Sequence, residues 1–238
     1  MTNNSSIETA LRGEYDFTIK DIFKEAWMLV KGSKLIFNIS LLLYILIAMV
    51  LQKLISLAIN PQIYYASHDI IKAILADETQ SLLSLPIIAP VTAGIVMLGV
   101  KRSALKKITI LSIFNYYTIT WSLVFASILV ALATFAGFIF FILPGIYLAV
   151  AFSFTTPLIV DKQLGVLKAM KISLLAVSQK WFKFFAIYAS LVILVLLSIT
   201  LTLGITLIWL LPFIFIVNGI LYKRAFGYSN PQNIENDE

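Results

Sequence analysis

Few side chains in this sequence could do chemistry, and those that could lie at the edges of long apolar stretches. The single histidine, His68, precedes Asp69, but adjacent residues are poor joint metal ligands and no second histidine completes a site. Because the chain has no cysteine, disulfides, thiolate metal sites and a cysteine nucleophile are excluded. Asp161 is followed by Lys162, and we interpret it as a boundary residue at the end of an apolar segment. We therefore predict no catalytic residue, no metal site and no cofactor.

The clearest pattern among the charged residues belongs to the lysines of segment 161–183. Apolar side chains recur there at helical spacing, with Lys168 and Lys171 on the opposite face. A basic amphipathic helix is typical of the membrane interface, where lysine attracts anionic lipid head groups. Lys168 and Lys171 are thus the candidate head-group contacts. The alternative is that such segments only set the membrane topology. The apolar positions are Val166, Met170, Leu174, Val177 and Trp181.

The elements that must position these lysines follow from composition. The chain is 60% hydrophobic and 13% charged, whereas a soluble domain is roughly 45–50% apolar and about 25% charged. No charged residue lies between Lys107 and Asp161, or between Lys183 and Lys223. A bilayer requires uncharged runs of this length. The net charge of +6 therefore reflects membrane topology, and nucleic acid is not an expected partner.

This pattern predicts an all-α membrane protein with six transmembrane helices in three hairpins and amphipathic interfacial helices. Both long uncharged runs exceed one span at 1.5 Å per residue, so each must turn. The best places for these turns are Pro144-Gly145 and Gly204. The predicted spans are residues 35–59, 84–100, 119–141, 146–160, 182–203 and 205–222.

The domain organisation is predicted to be simple. Residues 1–17 are expected to form a loose cytoplasmic tail, residues 18–224 a single membrane domain, and residues 225–238 a disordered cytoplasmic tail. Thr18 and Asp21 fit a capping box that begins an amphipathic helix.

The distribution of basic residues predicts the orientation. Of the 18 lysine and arginine residues, all but Lys53 and Lys72 fall on one predicted side of the six spans. By the positive-inside rule, this side and both termini are cytoplasmic.

Two stretches carry a family resemblance. They are residues 100–108, VKRSALKKI, and residues 143–171, which contain the Pro-Gly pair, the exit from Pro157 to Asp161 and an amphipathic helix with Gly165. Here the chain resembles the YciC-type family of bacterial inner-membrane proteins and, more distantly, the membrane domain that precedes some glycerophosphodiester phosphodiesterases. The resemblance implies six spans and a bacterial inner membrane, and it transfers no catalytic residue.

Three functions compete. The first is a non-enzymatic multi-pass protein of the cell envelope that contacts the lipid bilayer, with anionic lipids as candidate partners; protein partners do not follow from the sequence. The alternative is a small transporter or permease without an evident ion-coupling site, because the later spans lack mid-membrane acids and bases. Asn38 and Asn218 are the main polar side chains of the spans, and we expect Asn218 to form an interhelical hydrogen bond. An intramembrane enzyme is the weakest hypothesis, since no acid, base or nucleophile is evidently positioned.

Overall fold

A computed structural model describes residues 3–58 and 70–229, with the backbone alone at residues 3–4 and 70–78. These residues form helices and connecting segments, without a β-strand. Two short 3₁₀ helices, Ile110–Phe114 and Tyr117–Ile119, precede the fifth α-helix. The α-helices are α1 Asn3–Leu11, α2 Ile19–Val30, α3 Lys34–Ala58, α4 Ile70–Ser103, α5 Thr120–Phe140, α6 Ile142–Ala151, α7 Thr155–Lys162, α8 Val166–Gln179, α9 Trp181–Thr202 and α10 Leu207–Phe226.

Six helical segments are long and apolar enough to cross a membrane. They confirm the predicted all-α architecture with six candidate spans and indicate a membrane protein. The grouping into three hairpins and the interfacial position of the amphipathic helices stay predictions. The six segments are Lys34–Ala58, Thr79–Ser103, Ile110–Phe140, Ile142–Lys162, Trp181–Thr202 and Leu207–Phe226.

The N-terminal segment differs from the expected loose tail. It contains helix α1, whose Ile7 and Ala10 are buried, and it continues into the buried rings of Tyr15 and Phe17. Both rings contact Phe184 of α9, with centroids 6.2 and 5.2 Å away. The apolar surface that these four side chains bury is sufficient reason for an otherwise polar segment to pack on the bundle.

Helix α2 begins as the capping box predicts. The Thr18 hydroxyl accepts the backbone N–H of Asp21 at 3.2 Å and donates to the Asp21 carboxylate at 2.6 Å. One face of α2, formed by Ile22, Ala26 and Val30, is buried in the bundle.

The second span is longer than predicted. The sequence predicts a span over residues 84–100, whereas α4 is continuous from Ile70 to Ser103. Pro86 and Pro90 lie inside this helix. His68 and Asp69 lie outside the described residues.

The backbones of α4 and α10 lie in close contact where the two helices cross. A Cβ atom at Gly99 would lie 2.0 Å from the Phe215 carbonyl oxygen, and one at Gly219 would lie 2.2 Å from the Gly99 oxygen. The Ser103 hydroxyl also donates to the Gly219 carbonyl at 3.0 Å. Glycine permits such backbone contact, which is typical of membrane helix interfaces.

The first predicted turn is displaced from its expected position. Pro144 and Gly145 lie inside α6, and the chain reverses at Phe141, whose φ and ψ are −167° and 157°. Proline is tolerated in the first helical turn, where its missing N–H has no intrahelical partner to lose. Gly145 instead allows α6 to pack on α5, since a Cβ atom at Gly137 of α5 would lie 3.0 Å from the Cα of Gly145. The prediction of a Pro-Gly turn was therefore wrong in register.

The second predicted turn is confirmed. Leu203 and Gly204 have φ values of 50° and 87°, which end α9 in left-handed conformations. The Gly204 N–H donates to the Ser198 carbonyl at 3.2 Å. Glycine favours this geometry because it has no Cβ.

The fourth span is broken between α6 and α7, at residues 152–154. Ser173 of α8 bridges the break: its hydroxyl donates to the Ala151 carbonyl at 2.6 Å and accepts the Phe154 N–H at 3.2 Å. Two backbone groups that the break would leave without helical partners are thereby satisfied.

Helix α10 continues beyond the expected domain end at residue 224. Ala225 and Phe226 are buried, and the helix ends at Gly227, which has a φ of 66°. The expected disordered tail therefore starts too early at residue 225, and residues 230–238 lie outside the described residues.

Candidate functional site

Most charged side chains of the described chain meet at one end of the bundle, which we call the polar end. It comprises α1, α2 and α8, the C-terminal ends of α4, α7 and α10, the N-terminal end of α9 and the segments that adjoin them. Arg102 illustrates the convergence: its Nε donates to the Leu29 carbonyl and its Nη2 to the Lys31 carbonyl, both at 3.0 Å. The guanidinium of α4 therefore satisfies carbonyls at the C-terminal end of α2, where an arginine is electrostatically favourable.

The predicted head-group contacts lie on α8. Lys168 and Lys171 are exposed, and among the described residues neither forms an ion pair. The opposite face is buried, so the helix is amphipathic as predicted. Its buried face is rotated from the predicted stripe, of which Val177 alone among its α8 members is fully buried. The buried residues are Ala169, Ile172, Ser173, Ala176 and Val177.

The rotation has a physical cause. Small residues let α8 approach the bundle, and Ser173 has to reach the break in the fourth span. The predicted stripe was defined by large apolar residues, so it included neither the small residues nor Ser173. The half-buried Val166 and Met170 lie at the margin of the buried face.

Other basic residues of the polar end are engaged in ion pairs. Lys180 and Lys183 lie 3.3 and 2.6 Å from the carboxylate of Asp16. Hydrogen bonds from Lys183 and then Lys180 lower the pKa of Asp16 to about 2. These pairs tie the N-terminal segment to the start of α9.

A second set of ion pairs ties α2 to α10. Glu25 lies 3.3 Å from Lys223 and 3.0 Å from Arg224. Burial alone would raise the pKa of Glu25, but the hydrogen bond from Arg224 and the charge of Lys223 lower it overall. The carboxylate therefore stays ionised at neutral pH.

Asp161 and Lys162 form a buried ion pair at the end of α7. Their side chains are 0% and 3% exposed, and Lys162 Nζ lies 3.7 Å from Asp161 Oδ2. This corrects the interpretation of Asp161 as a boundary residue. A boundary residue at a water interface would be exposed, whereas burial requires that each charge be paired or hydrogen-bonded.

Partners from distant parts of the chain satisfy this pair. The Tyr222 hydroxyl donates to Asp161 Oδ2 at 2.8 Å, and the Ser229 N–H donates to Oδ1 at 3.1 Å. Lys162 Nζ contacts the hydroxyls of Ser229 and of Ser6, the latter at 3.5 Å. The pair thus joins α1, α7, α10 and the segment that follows α10.

The negative charge of Asp161 also acts on a neighbouring tyrosine. Tyr228 lies beyond α10, and burial, together with the negative charge of Asp161, raises the pKa of its hydroxyl. The chemical role that the geometry supports is structural, because Asp161 accepts from a tyrosine and a backbone amide that fix its position. Within the described ranges, no group of three or more His, Cys, Asp or Glu residues could hold a metal ion.

The two asparagines of the spans connect helices. Asn218 Oδ1 accepts the Tyr188 hydroxyl at 2.5 Å, which confirms the predicted interhelical bond. Asn38 Nδ2 donates to the Ile208 carbonyl at 3.0 Å and so links α3 to α10. These contacts tie both amide groups to neighbouring helices.

Two grooves open between the helices. One, of about 640 Å³, lies between α9 and α10 with Trp27 of α2 at its edge, and the other, of about 650 Å³, lies between α4 and α5. Both volumes fall within the range of roughly 300–1,000 Å³ for ligand sites. No titratable acid or base lines either groove, so both suit apolar ligands such as acyl chains.

No family model, curated protein or solved structure matches the chain.

Proposed function

We propose that the chain is a non-enzymatic multi-pass protein of a bacterial inner membrane, with both termini in the cytoplasm, whose polar end binds anionic lipid head groups. Membership of the YciC-type family and a role in the cell envelope are part of this proposal. Lys168 and Lys171 supply the positive charge. A juxtamembrane lysine contributes about 1 kcal/mol to the attraction of an anionic lipid surface.

One observation carries this proposal: the lysines of the polar end divide into two groups. Lys180, Lys183 and Lys223 are neutralised by carboxylates of the chain itself. The other group consists of exposed lysines that pair with no carboxylate among the described residues. It includes Lys168 and Lys171, three residues apart on the exposed face of α8, and also Lys20, Lys24, Lys31, Lys106 and Lys107. A fixed pair of exposed cations beside an apolar bundle suits a phosphate-bearing lipid better than it suits intramolecular pairing.

The test is the number of phosphatidylglycerol molecules that the purified protein retains, measured by native mass spectrometry after extraction from vesicles of phosphatidylethanolamine and phosphatidylglycerol. Lys168→Gln/Lys171→Gln should lower retention several-fold. Lys106→Gln/Lys107→Gln is the matched control, because it removes the same charge from two exposed lysines at the same end. Equal loss in both variants, or no loss in either, would contradict the assignment to α8.

A small transporter or permease is the second candidate. The break between α6 and α7 favours it, because discontinuous helices form substrate sites in many transporters. Against it, Ser173 occupies two backbone groups at the break. Solute flux into proteoliposomes that Ser173→Ala alters would support transport, and the absence of protein-dependent flux would count against it.

A further inference from the structure

The turn between α5 and α6 is an uninterrupted apolar surface. Its six consecutive residues, Phe138 to Leu143, are each between 45% and 77% exposed. We call residues 138–143 the first tip. A run of exposed apolar residues of this length is an error on a water-facing surface and is normal on a lipid-facing one.

The turn between α9 and α10 has the same character. Leu201, Leu203 and Ile205 are 77%, 91% and 64% exposed, and we call residues 201–205 the second tip. Its one hydroxyl is not directed to solvent alone: Thr202 donates to the Ser198 carbonyl at 2.7 Å and lies 3.0 Å from the Thr206 hydroxyl.

Some backbone groups at both tips form hydrogen bonds within the chain. At the first tip, the Phe141 N–H donates to the Gly137 carbonyl at 3.1 Å, and the Gly145 N–H donates to the Phe141 carbonyl at 3.3 Å. At the second, the Ile205 N–H donates to Thr202 at 3.0 Å. Each such bond removes a polar group that would be costly to leave unbonded where no water can reach it.

Helix lengths distinguish the tips from the α3–α4 pair. Helix α5 has 21 residues and α9 has 22, so they are about 31 and 33 Å long, close to a hydrocarbon thickness of about 30 Å. Helix α4 has 34 residues and is about 51 Å long. It is longer than a bilayer is thick, at about 40–45 Å with its head groups. Its first residues include Lys72, Asp77 and Glu78.

We propose that both tips stay in the hydrocarbon layer and contact lipid acyl chains, so that on their side of the membrane, among the described helices, α3 and α4 extend into water. Lipid is the occupant because the apolar surface continues without a polar break from the flanks of the same helices, at Leu132 and Phe135, to the first tip. The distribution of basic residues does not distinguish turns that stay in the hydrocarbon layer from turns that reach water on the far side. In either arrangement each hairpin returns to the side on which it started.

The natural absence of cysteine makes the test direct. Spin labels at Phe140→Cys and Leu203→Cys, in the full chain reconstituted into phosphatidylethanolamine and phosphatidylglycerol vesicles, report collisions with oxygen and with a water-soluble nickel complex. The tips should collide several-fold more with oxygen than with nickel. Leu132→Cys is the lipid-facing control and Lys107→Cys the water-facing control.

Each other outcome overturns the proposal. Strong nickel collisions at the tips would place them in water. Weak collisions with both reagents would mean that protein, either a second copy or a partner, covers them. If Phe140→Cys does not fold, Ile139→Cys reports on the same tip.

Discussion

The polar end and the two tips differ in what their side chains contact. The polar end buries charged groups, whereas the tips expose apolar ones. At the polar end, Asp161 and Lys162 are buried, and each is held by named donors or acceptors from other parts of the chain. At the tips, side chains are exposed, and the polar groups bond to their own helix ends. At the polar end, hydrogen bonds and ion pairs therefore fix segments of the chain relative to each other. At the tips, the apolar surface suits lipid, which forms no directional bonds.

The first way to break this comparison is to remove one partner of the buried pair. Asp161→Ala removes the carboxylate that pairs with the buried Lys162 and accepts from the Tyr222 hydroxyl and the Ser229 N–H. Loss of one partner of a buried pair costs about 3–5 kcal/mol of unfolding free energy. Denaturant unfolding in lipid nanodiscs measures it.

The double variant Asp161→Asn/Lys162→Met is the control for this loss. Because it removes both charges, it should recover much of the stability that Asp161→Ala loses. If Asp161→Ala unfolds within about 1 kcal/mol of the unmodified chain, the pair is not a determinant of the polar end.

A lysine placed at a tip tests whether the tips lie in the hydrocarbon layer. Phe140→Lys places an ammonium on a side chain that is 77% exposed, and Leu105→Lys makes the same change at the polar end on one that is 75% exposed. A lysine at the bilayer centre costs about 2.5–3.5 kcal/mol, and less where it can snorkel. Phe140→Lys should therefore lower the amount of folded protein in isolated membranes, and Leu105→Lys should not. Equal amounts of both variants would indicate that water already reaches the first tip.

Sequence reasoning predicted the features that depend on a whole segment. Six apolar segments, the turn at Gly204 and the bond of Asn218 were all predictable, because bilayer thickness, glycine geometry and the cost of a polar group in hydrocarbon apply locally. The exposed positions of Lys168 and Lys171 followed from helical periodicity in the same way.

Features that depend on a distant partner were not predictable. Asp161 and Lys162 resemble a boundary in the sequence, and their burial depends on Tyr222 and Ser229. The position of the first turn depended on the packing of Gly145 against α5. In the sequence, the Pro-Gly pair indicated a turn at that point instead. The N-terminal helix was missed because its apolar residues are few, although the paired aromatics at 15 and 17 were a signal.

The bundle between the two ends is held by close backbone contact, which a third substitution tests. Gly99→Ala forces a methyl group against the Phe215 carbonyl, so α4 and α10 must separate. Overpacking of this kind costs about 1–3 kcal/mol of unfolding free energy. Thermal unfolding in nanodiscs reports it, with Gly165→Ala as the control because nothing lies within 4 Å of a Cβ there. A similar small loss in both variants would mean that the helices shift without cost.

The smallest effect concerns the exposed carboxylate that ties the N-terminal segment to α9. The folded pKa of Asp16 is about 2, and an unperturbed aspartate has one of about 3.9. A lowered pKa means that the contribution of Asp16 is fully present above the unfolded value and is lost as the pH falls toward 2. A spin label at Glu8→Cys should therefore keep the same mobility from pH 8 to pH 5 and become more mobile below about pH 4.

Asp16→Asn should raise that mobility slightly at neutral pH and weaken its dependence on acid. Glu14→Gln is the matched control, because the ion pair of Glu14 among the described residues is with Arg12 of the same segment, at 4.0 Å. If both variants behave alike, the buried rings of Tyr15 and Phe17 hold the segment without help from Asp16. The polar end would then depend on its buried pair and its aromatic contacts, and the exposed ion pairs would leave docking unchanged, as the weak energetics of solvated pairs allow.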